Sequence, residues 1–328
     1  MKNKFLQSIF LAVALAGTLF AAETRTPNRP ANHSVRGTLP PLSDVSPGKK
    51  RPPLRLTVSA THALDLVGEN SSMERCSKRA GTFWTLNDSG NSPHIFAIDS
   101  AGNVLRPPNA GADYRGILLA GRRNIDWEAL ASDGAGNLVI ADIGNNECNR
   151  RNLCFYIVPE PSPFAEKTEP SRKIGFYYPT QDFFPDPSKN YDAEACFVIN
   201  GQIYFLTKHW TNTQTVLWRV NPQRDDYQPA VPVSRFNVLG LVTDAALSPS
   251  GNRLAVLTYH SVWIFDMPEK SANGTRDETK FFASPHFRKI APPMKHWQIE
   301  GIVFEDEETL LISSESGALF RVPVKEIL

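Results

Sequence analysis

The sequence predicts an all-β fold, a β-propeller of five four-stranded blades, on three observations. A short polar start, usually acid-led, recurs at Ser71, Glu128, Glu194, Asp244 and Glu300, at intervals of 57, 66, 50 and 56 residues. Each start opens a hydrophobic run, followed by a polar turn and further short hydrophobic runs, and a strand unit repeated at this scale is the mark of a propeller. No window of a dozen residues from Leu54 onward sustains the 3.6-residue period of a helix.

The elements follow in chain order. Lys2 and Lys4 precede an apolar run from Phe5 to Phe20 that ends in Ala21-Ala22 before Glu23, the basic, apolar, small-residue order of a secretory signal over residues 1–22. The run is short for a membrane span, so the expectation is an exported protein, periplasmic or secreted, with no span after the signal is removed; an uncleaved anchor is the rival reading. Residues 23–53 carry Pro27, Pro30, Pro40, Pro41, Pro47, Pro52 and Pro53 among polar residues with no aromatic, which reads as a disordered or extended tether. Residues 54–328 then form one propeller domain.

In the second repeat, residues 128–132 form a strand, Asp133-Gly134-Ala135-Gly136-Asn137 a tight turn, and residues 138–141, 154–158 and 173–178 three further strands. The fourth repeat reads alike, with strands at 244–248, 254–258, 262–265 and 280–283. The last shows three strands, at 301–304, 309–313 and 318–322, and residues 54–59 are the natural donor of its missing outer strand, since closure removes exposed edges. Six blades stay open if the connections at 106–121 or 221–234 hide strands.

Composition narrows the function. With 328 residues, 41% of them hydrophobic, the chain can bury a large core. Lys plus Arg (35) against Asp plus Glu (34) leaves a net charge of +1, so there is no sequence-wide field to draw in nucleic acid. In an oxidising compartment Cys148 and Cys154 could close a small disulfide loop. Zinc is disfavoured, because none of the four cysteines has CxxC spacing or a histidine close by.

In a propeller blade the start of the innermost strand and the end of the second lie on one face, as antiparallel neighbours. Glu128, Glu194, Asp244 and Glu300 should then ring the channel mouth, joined by Asn87-Asp88, Asp142, Lys208-His209, Tyr259-His260 and Glu315, with Asp126 and Asp192 on the same rim. Crowded carboxylates repel by about 1 kcal/mol per pair at roughly 4 Å even in bulk water. A hard cation such as Ca²⁺, proton uptake, or pairing with Lys208, His209 and His260 would relieve this. The bland alternative is that each leading acid only fastens blade to blade through backbone N–H groups. Unlike residues at equivalent positions argue for a ligand site instead.

Other residues receive ordinary readings. Trp84, Trp127, Trp218, Trp263 and Trp297 read as packing between blades, and His62, His94, His286 and His296 as surface or core. No nucleophile elbow, P-loop, dinucleotide fingerprint or His-Glu-x-x-His site occurs.

Four strings carry a family likeness: Phe83-Trp84-Thr85-Leu86-Asn87-Asp88-Ser89-Gly90, Asp126-Trp127-Glu128-Ala129-Leu130, Ala141-Asp142-Ile143-Gly144-Asn145-Asn146 and Asp192-Ala193-Glu194-Ala195. They resemble a set of exported bacterial β-propeller proteins, mostly uncharacterised, over roughly residues 63–322. That set is distantly similar to gluconolactonase-like and phytase-like propellers, whose channel-mouth acids bind Ca²⁺ or another divalent ion and hydrolyse lactones or phosphate esters. Asn145-Asn146 departs from the acidity such a site would carry after Ile143.

The residues thus lead to two expectations. In the first, Asp88, Glu128, Glu194, Asp244 and Glu300 hold Ca²⁺ or another divalent cation, while Asn87, Lys208, His209, Tyr259 and His260 receive a small polar or anionic ligand. Glu128, Asp142 or Glu194 would then act as base in hydrolysis of an ester, lactone or phosphoester. In the second, the propeller face is a non-catalytic envelope module that binds a protein or glycan.

Overall fold

The computed structural model describes residues 37–62, 66–224, 227–291 and 298–328. The export signal read at 1–22 lies outside these residues, as do residues 23–36 and the positions of His296 and Trp297. Five sheets, each four-stranded at its core, make a five-bladed β-propeller. The first blade pairs Asn70–Arg75, Thr82–Asn87, His94–Asp99 and Ile117–Leu119. The second pairs Trp127–Ser132, Asn137–Asp142, Cys154–Pro159 and Arg172–Tyr177. The third pairs Asp192–Ile199, Gln202–Lys208, Gln214–Val220 and Val231–Asn237. The fourth pairs Val242–Leu247, Arg253–Thr258, Ser261–Asp266 and Pro285–Ala291.

The connections at 106–121 and 221–234 do contain strands, but Ile117–Leu119 and Val231–Asn237 complete the first and third blades and make no sixth. In the fourth blade the outer strand is Pro285–Ala291 rather than 280–283, because Glu278–Lys280 forms a 3-10 turn capped by Asp277. That turn leads into Phe281 and Phe282, which are buried in the core between the third and fourth blades.

The fifth blade has Ile299–Phe304, Thr309–Ser314 and Ala318–Pro323, and the N-terminal strand Val58–Thr61 closes it antiparallel to Ala318–Pro323. Closure by an N-terminal strand is thus present, but a few residues later than 54–59. Leu54–Arg55 instead runs parallel to Pro285–Ala291 on the outer edge of the fourth blade. Leu42–Ser43 does the same to Val231–Asn237 on the third. Within residues 37–53, read as tether, Leu42–Ser43 is thus paired, Val45 packs on the core and Arg51 donates from Nη1 to the carbonyl of Ile327 (2.9 Å), while most of the segment is exposed. Unpaired edge N–H and C=O groups supply the reason: even a proline-rich segment satisfies a few of them. On the first two blades the same cover comes from Lys167–Thr168 and Gln228–Pro229.

The tight turns fall where Gly and Asn recur; Gly134 and Gly136 take φ of 70° and 93° between the first two strands of the second blade. Trp84, Trp127, Trp218 and Trp263 are fully buried between blades. All four cysteines are buried and free. Cys154 faces the core between the first and second blades, with Trp84 and Cys76, whereas the Cys148 sulfur accepts the backbone N–H of Tyr191 (3.4 Å). The two thiols of the expected loop therefore serve different surroundings and do not pair. Among the described residues no helix is long and apolar enough to cross a membrane.

Candidate metal centre at the channel mouth

In every blade the pairing of the innermost strand with the second slips by one residue at the same place. The extra residue is Ser71, Glu128, Glu194, Thr243 or Glu300. A bulge leaves its extra residue unpaired and re-aims the side chain, so five bulges turn five side chains toward one another at the mouth. Ser71 Oγ donates to Glu128 Oε2 (2.9 Å), and the Glu128 and Glu194 carboxyl groups are electrostatic neighbours.

This register corrects the fourth repeat. Thr243 occupies the bulge, and Asp244, one residue later, is turned into the protein. Its Oδ1 accepts from Ser72 Oγ (3.1 Å) and the Ala245 N–H (2.8 Å), and its Oδ2 from the N–H groups of Ile302 (2.8 Å) and Met73 (3.3 Å). Asp244 thus has the fastening role and stands apart from the acids of the mouth.

Asp88, Asp126 and Glu128 each offer a carboxylate oxygen, and the three oxygens lie within 4.8 Å of one another. Asp88 follows the second strand of the first blade, and Asp126 and Glu128 flank Trp127 at the start of the second blade's inner strand. Asn124 ties the two loops by donating from Nδ2 to the carbonyls of Asn87 and Asp88 (both 2.8 Å) while its Oδ1 accepts the Trp127 N–H (3.0 Å). Gly144 leaves the space for convergence: a Cβ there would stand 2.4 Å from both Asp126 Cγ and Glu128 Oε1.

The shell beneath is built on Asp142. Fully buried, it accepts from Arg150 Nη2 (2.6 Å) and from the Asp126 N–H (3.2 Å) through Oδ1, while Oδ2 has no hydrogen-bond partner among the described residues. Arg150 Nη1 is also 3.9 Å from Asp126 Oδ2. Asp142 therefore positions Asp126 and Arg150 from below, a place unsuited to the base expected at this position. Asn145, which replaces an expected acid, accepts the N–H groups of Asn149 and Arg150 (both 2.9 Å) and so shapes the loop that carries Arg150. Asn87 likewise works within the loop, its Nδ2 donating to the Leu66 carbonyl (2.8 Å).

Across the mouth, Lys208 donates to Glu194 Oε1 (3.0 Å) and to the Tyr259 hydroxyl (3.0 Å). Its Nζ stands 4.8 Å from the Trp210 ring centroid and 5.1 Å from that of Tyr259, within cation–π range. Trp210 is 43% exposed, and its indole N–H donates to Asp192 Oδ2 (2.7 Å). Trp210 was missed in the sequence because it lacks the apolar strand context of the other tryptophans. His209 and His260 are not in this group. His209 is buried against Thr207 (3.0 Å) and Asn212 (3.1 Å), and burial lowers its pKa to about 4, so it is neutral. His260 is exposed in the next turn.

The acids outnumber the cations, and most are shielded from water. Burial raises the Asp126 pKa to about 7, with Arg150 opposing and Asp88 and Asp192 reinforcing the rise. Burial, then Glu194, lifts Asp192 to about 8. Glu128 is driven well above the usual carboxylate range by burial and by Glu194, Asp88, Asp126 and Asp192. Lys208 stays charged: burial opposes this, but Glu194, Tyr259 and Glu300 outweigh it. Glu300 is only 6% exposed and has no side-chain hydrogen-bond partner among the described residues, and its charged neighbours are Glu194, Lys208, Glu315 and Asp88. Three converging carboxylate oxygens beside further uncompensated acids form the donor set that suits a hard cation.

No family model and no curated protein matches the chain. Among solved structures, it is similar to a chain of the mitotic checkpoint complex, at 12% identity and a TM-score of 0.34, covering 74% of this chain and 61% of that one. It is also similar to hydrazine synthase of Kuenenia stuttgartiensis, at 10% identity and a TM-score of 0.37, covering 74% and 68%. The chain thus spans less than two thirds of the length of the first. These likenesses establish no kinship with lactonase-like or phytase-like propellers.

Proposed function

We propose that the channel mouth binds a divalent cation through Asp88, Asp126 and Glu128 and receives the negative group of a small polar ligand at Lys208. The convergence of the three carboxylate oxygens within 4.8 Å carries this reading. Ca²⁺ is the ion best matched to an all-oxygen site in a protein whose N-terminus reads as an export signal. A bound divalent ion supplies Lewis-acid polarisation of an ester, lactone or phosphoryl oxygen. Lys208, gripped by Glu194 and Tyr259 and flanked by Trp210, offers fixed positive charge for a carboxylate or phosphate. Glu194, a neighbour of Glu128 and paired with Lys208, is the acid placed to take a proton beside that charge. Hydrolysis of an ester, lactone or phosphoester is the reaction that these groups would support together.

Calorimetric titration of the metal-free protein with CaCl₂ tests the site. Saturable binding is expected, weakened at least tenfold, or about 1.4 kcal/mol, by Asp88→Asn combined with Glu128→Gln. A wild-type protein that takes up neither Ca²⁺ nor Mg²⁺ nor Mn²⁺ at millimolar concentration would end the proposal.

A further inference from the structure

Below the layer where Asp244 bridges to Ser72 and Met73, the opposite end of the channel opens into a cavity of about 240 Å³. Its walls come from the lower halves of the innermost strands of the first four blades and from the loop that carries Lys270 and Arg276. Three cations line it, Arg75, Lys270 and Arg276, and none forms an ion pair among the described residues. The Nε atoms of Arg75 and Arg276 are buried with no hydrogen-bond partner among the described residues.

The acids of the same walls are already engaged. Glu74 accepts the N–H groups of Arg75 (2.7 Å) and Ser132 (2.9 Å). Asp133 accepts those of Ala135 (2.7 Å) and Asn137 (2.9 Å), together with Asn137 Nδ2 (2.7 Å), within its own turn. Glu269 stands only at the outer rim, in the shallower opening beside Lys270. Carboxylate oxygens occupied by local N–H groups and guanidinium N–H groups left unsatisfied make an asymmetry that favours an incoming acceptor. Ser248 and Ser250, hydroxyl to hydroxyl at 3.2 Å on the same wall, add neutral donors.

We propose that this lower cavity is a second ligand site, independent of the acidic mouth, which binds a small oxyanion, a phosphate or a short dicarboxylate, through Arg75 and Lys270. Its volume is below the usual range for drug-sized ligands and suits an anion of a few heavy atoms. Arg276 is part of the frame: its Nη2 donates to Asn252 Oδ1 (2.7 Å) and its Nη1 to the Pro268 carbonyl, which fixes the loop while its charge faces the cavity. Three cations against two acids, Glu74 and Asp133, leave this lining one net positive charge, whereas acids outnumber cations at the mouth, so the two ends of the propeller axis favour ligands of opposite sign.

Calorimetry of the whole chain with inorganic phosphate, and in a parallel arm with succinate, tests the site and tells the two oxyanion sources apart. The expected result is saturable binding of at least one probe, weakened tenfold or more in Arg75→Gln combined with Lys270→Gln, with Ca²⁺ binding at the mouth unchanged. Lys270→Gln alone, at an exposed position that no contact needs for folding, should weaken binding about threefold, which keeps the test usable if the double variant is unstable. Absence of saturable binding of both probes below about 10 mM, or equal affinity in wild type and variants, would overturn the proposal.

Discussion

Four donors from three blades converge on the carboxylate of Asp244. Truncating it leaves buried N–H groups of Met73 and Ile302 without acceptors, at about 1–3 kcal/mol for each unsatisfied group. Asp244→Ala should therefore destabilise the protein by about 3 kcal/mol and lower Tm by roughly 6 °C. Asp244→Asn, which keeps one acceptor oxygen, should lose less, and thermal unfolding of both variants checks the order; an alanine variant as stable as wild type would remove the fastening role. In the sequence Asp244 looked like its counterparts Glu128, Glu194 and Glu300, because Thr243-Asp244 offers two polar residues and a one-residue slip is invisible without the bulge. Asp88 and Glu128 were legible as a pair of rim acids. The partnership with Asp126 was legible only as proximity, and the part of Gly144 was not, since it depends on how closely two side chains approach its Cα.

The strands themselves were the most readable elements. Continuous apolar runs between Gly/Asn turns placed the inner three strands of the second, fourth and fifth blades within a residue or two, because those strands are buried on both faces. Outer strands were read less well. Pro285–Ala291 is only partly buried, so hydrophobicity marked Phe281-Phe282 instead. The N-terminal segment was the hardest: Leu42–Ser43 and Leu54–Arg55 are two-residue pairings, and although Leu54 packs on the core between the fourth and fifth blades, nothing in the side-chain pattern says which blade edge each joins. Their distinct jobs predict distinct losses on truncation. A chain beginning at Leu54 gives up the cover on the third blade, the packing of Val45 and the Arg51 contact to the Ile327 carbonyl, and should fold with a modest fall in Tm. A chain beginning at His62 also loses Val58–Thr61, which closes the ring, and should unfold at markedly lower temperature and self-associate through the freed edge of Ala318–Pro323. Thermal unfolding with light scattering separates the two, and equal behaviour of both truncations would show that closure contributes little.

At the scale of the whole molecule, the channel gathers like charges at one end, and that concentration links folding to protons and to cations. Asp126 and Asp192 have folded pKa values of about 7 and about 8, above the roughly 4 of an unfolded chain. Between these limits the folded state holds protons that the unfolded state has released, so stability falls as pH rises from about 4 to 8. A divalent cation at Asp88, Asp126 and Glu128 must displace such protons, so its affinity rises across the same range. Its stabilising effect, which grows with the ratio of free ion to Kd, rises with it. Chelator-treated protein should accordingly melt at a higher temperature at pH 5 than at pH 8, and millimolar Ca²⁺ should raise Tm strongly at pH 8 and little at pH 5. A Tm in chelator that does not change between pH 5 and 8 would mean that the mouth acids titrate as exposed carboxylates do. The two halves of the measurement also divide the causes: a pH effect in chelator without a response to Ca²⁺ leaves proton uptake as the means by which the mouth relieves its crowding, whereas a response confined to high pH assigns that relief to the ion.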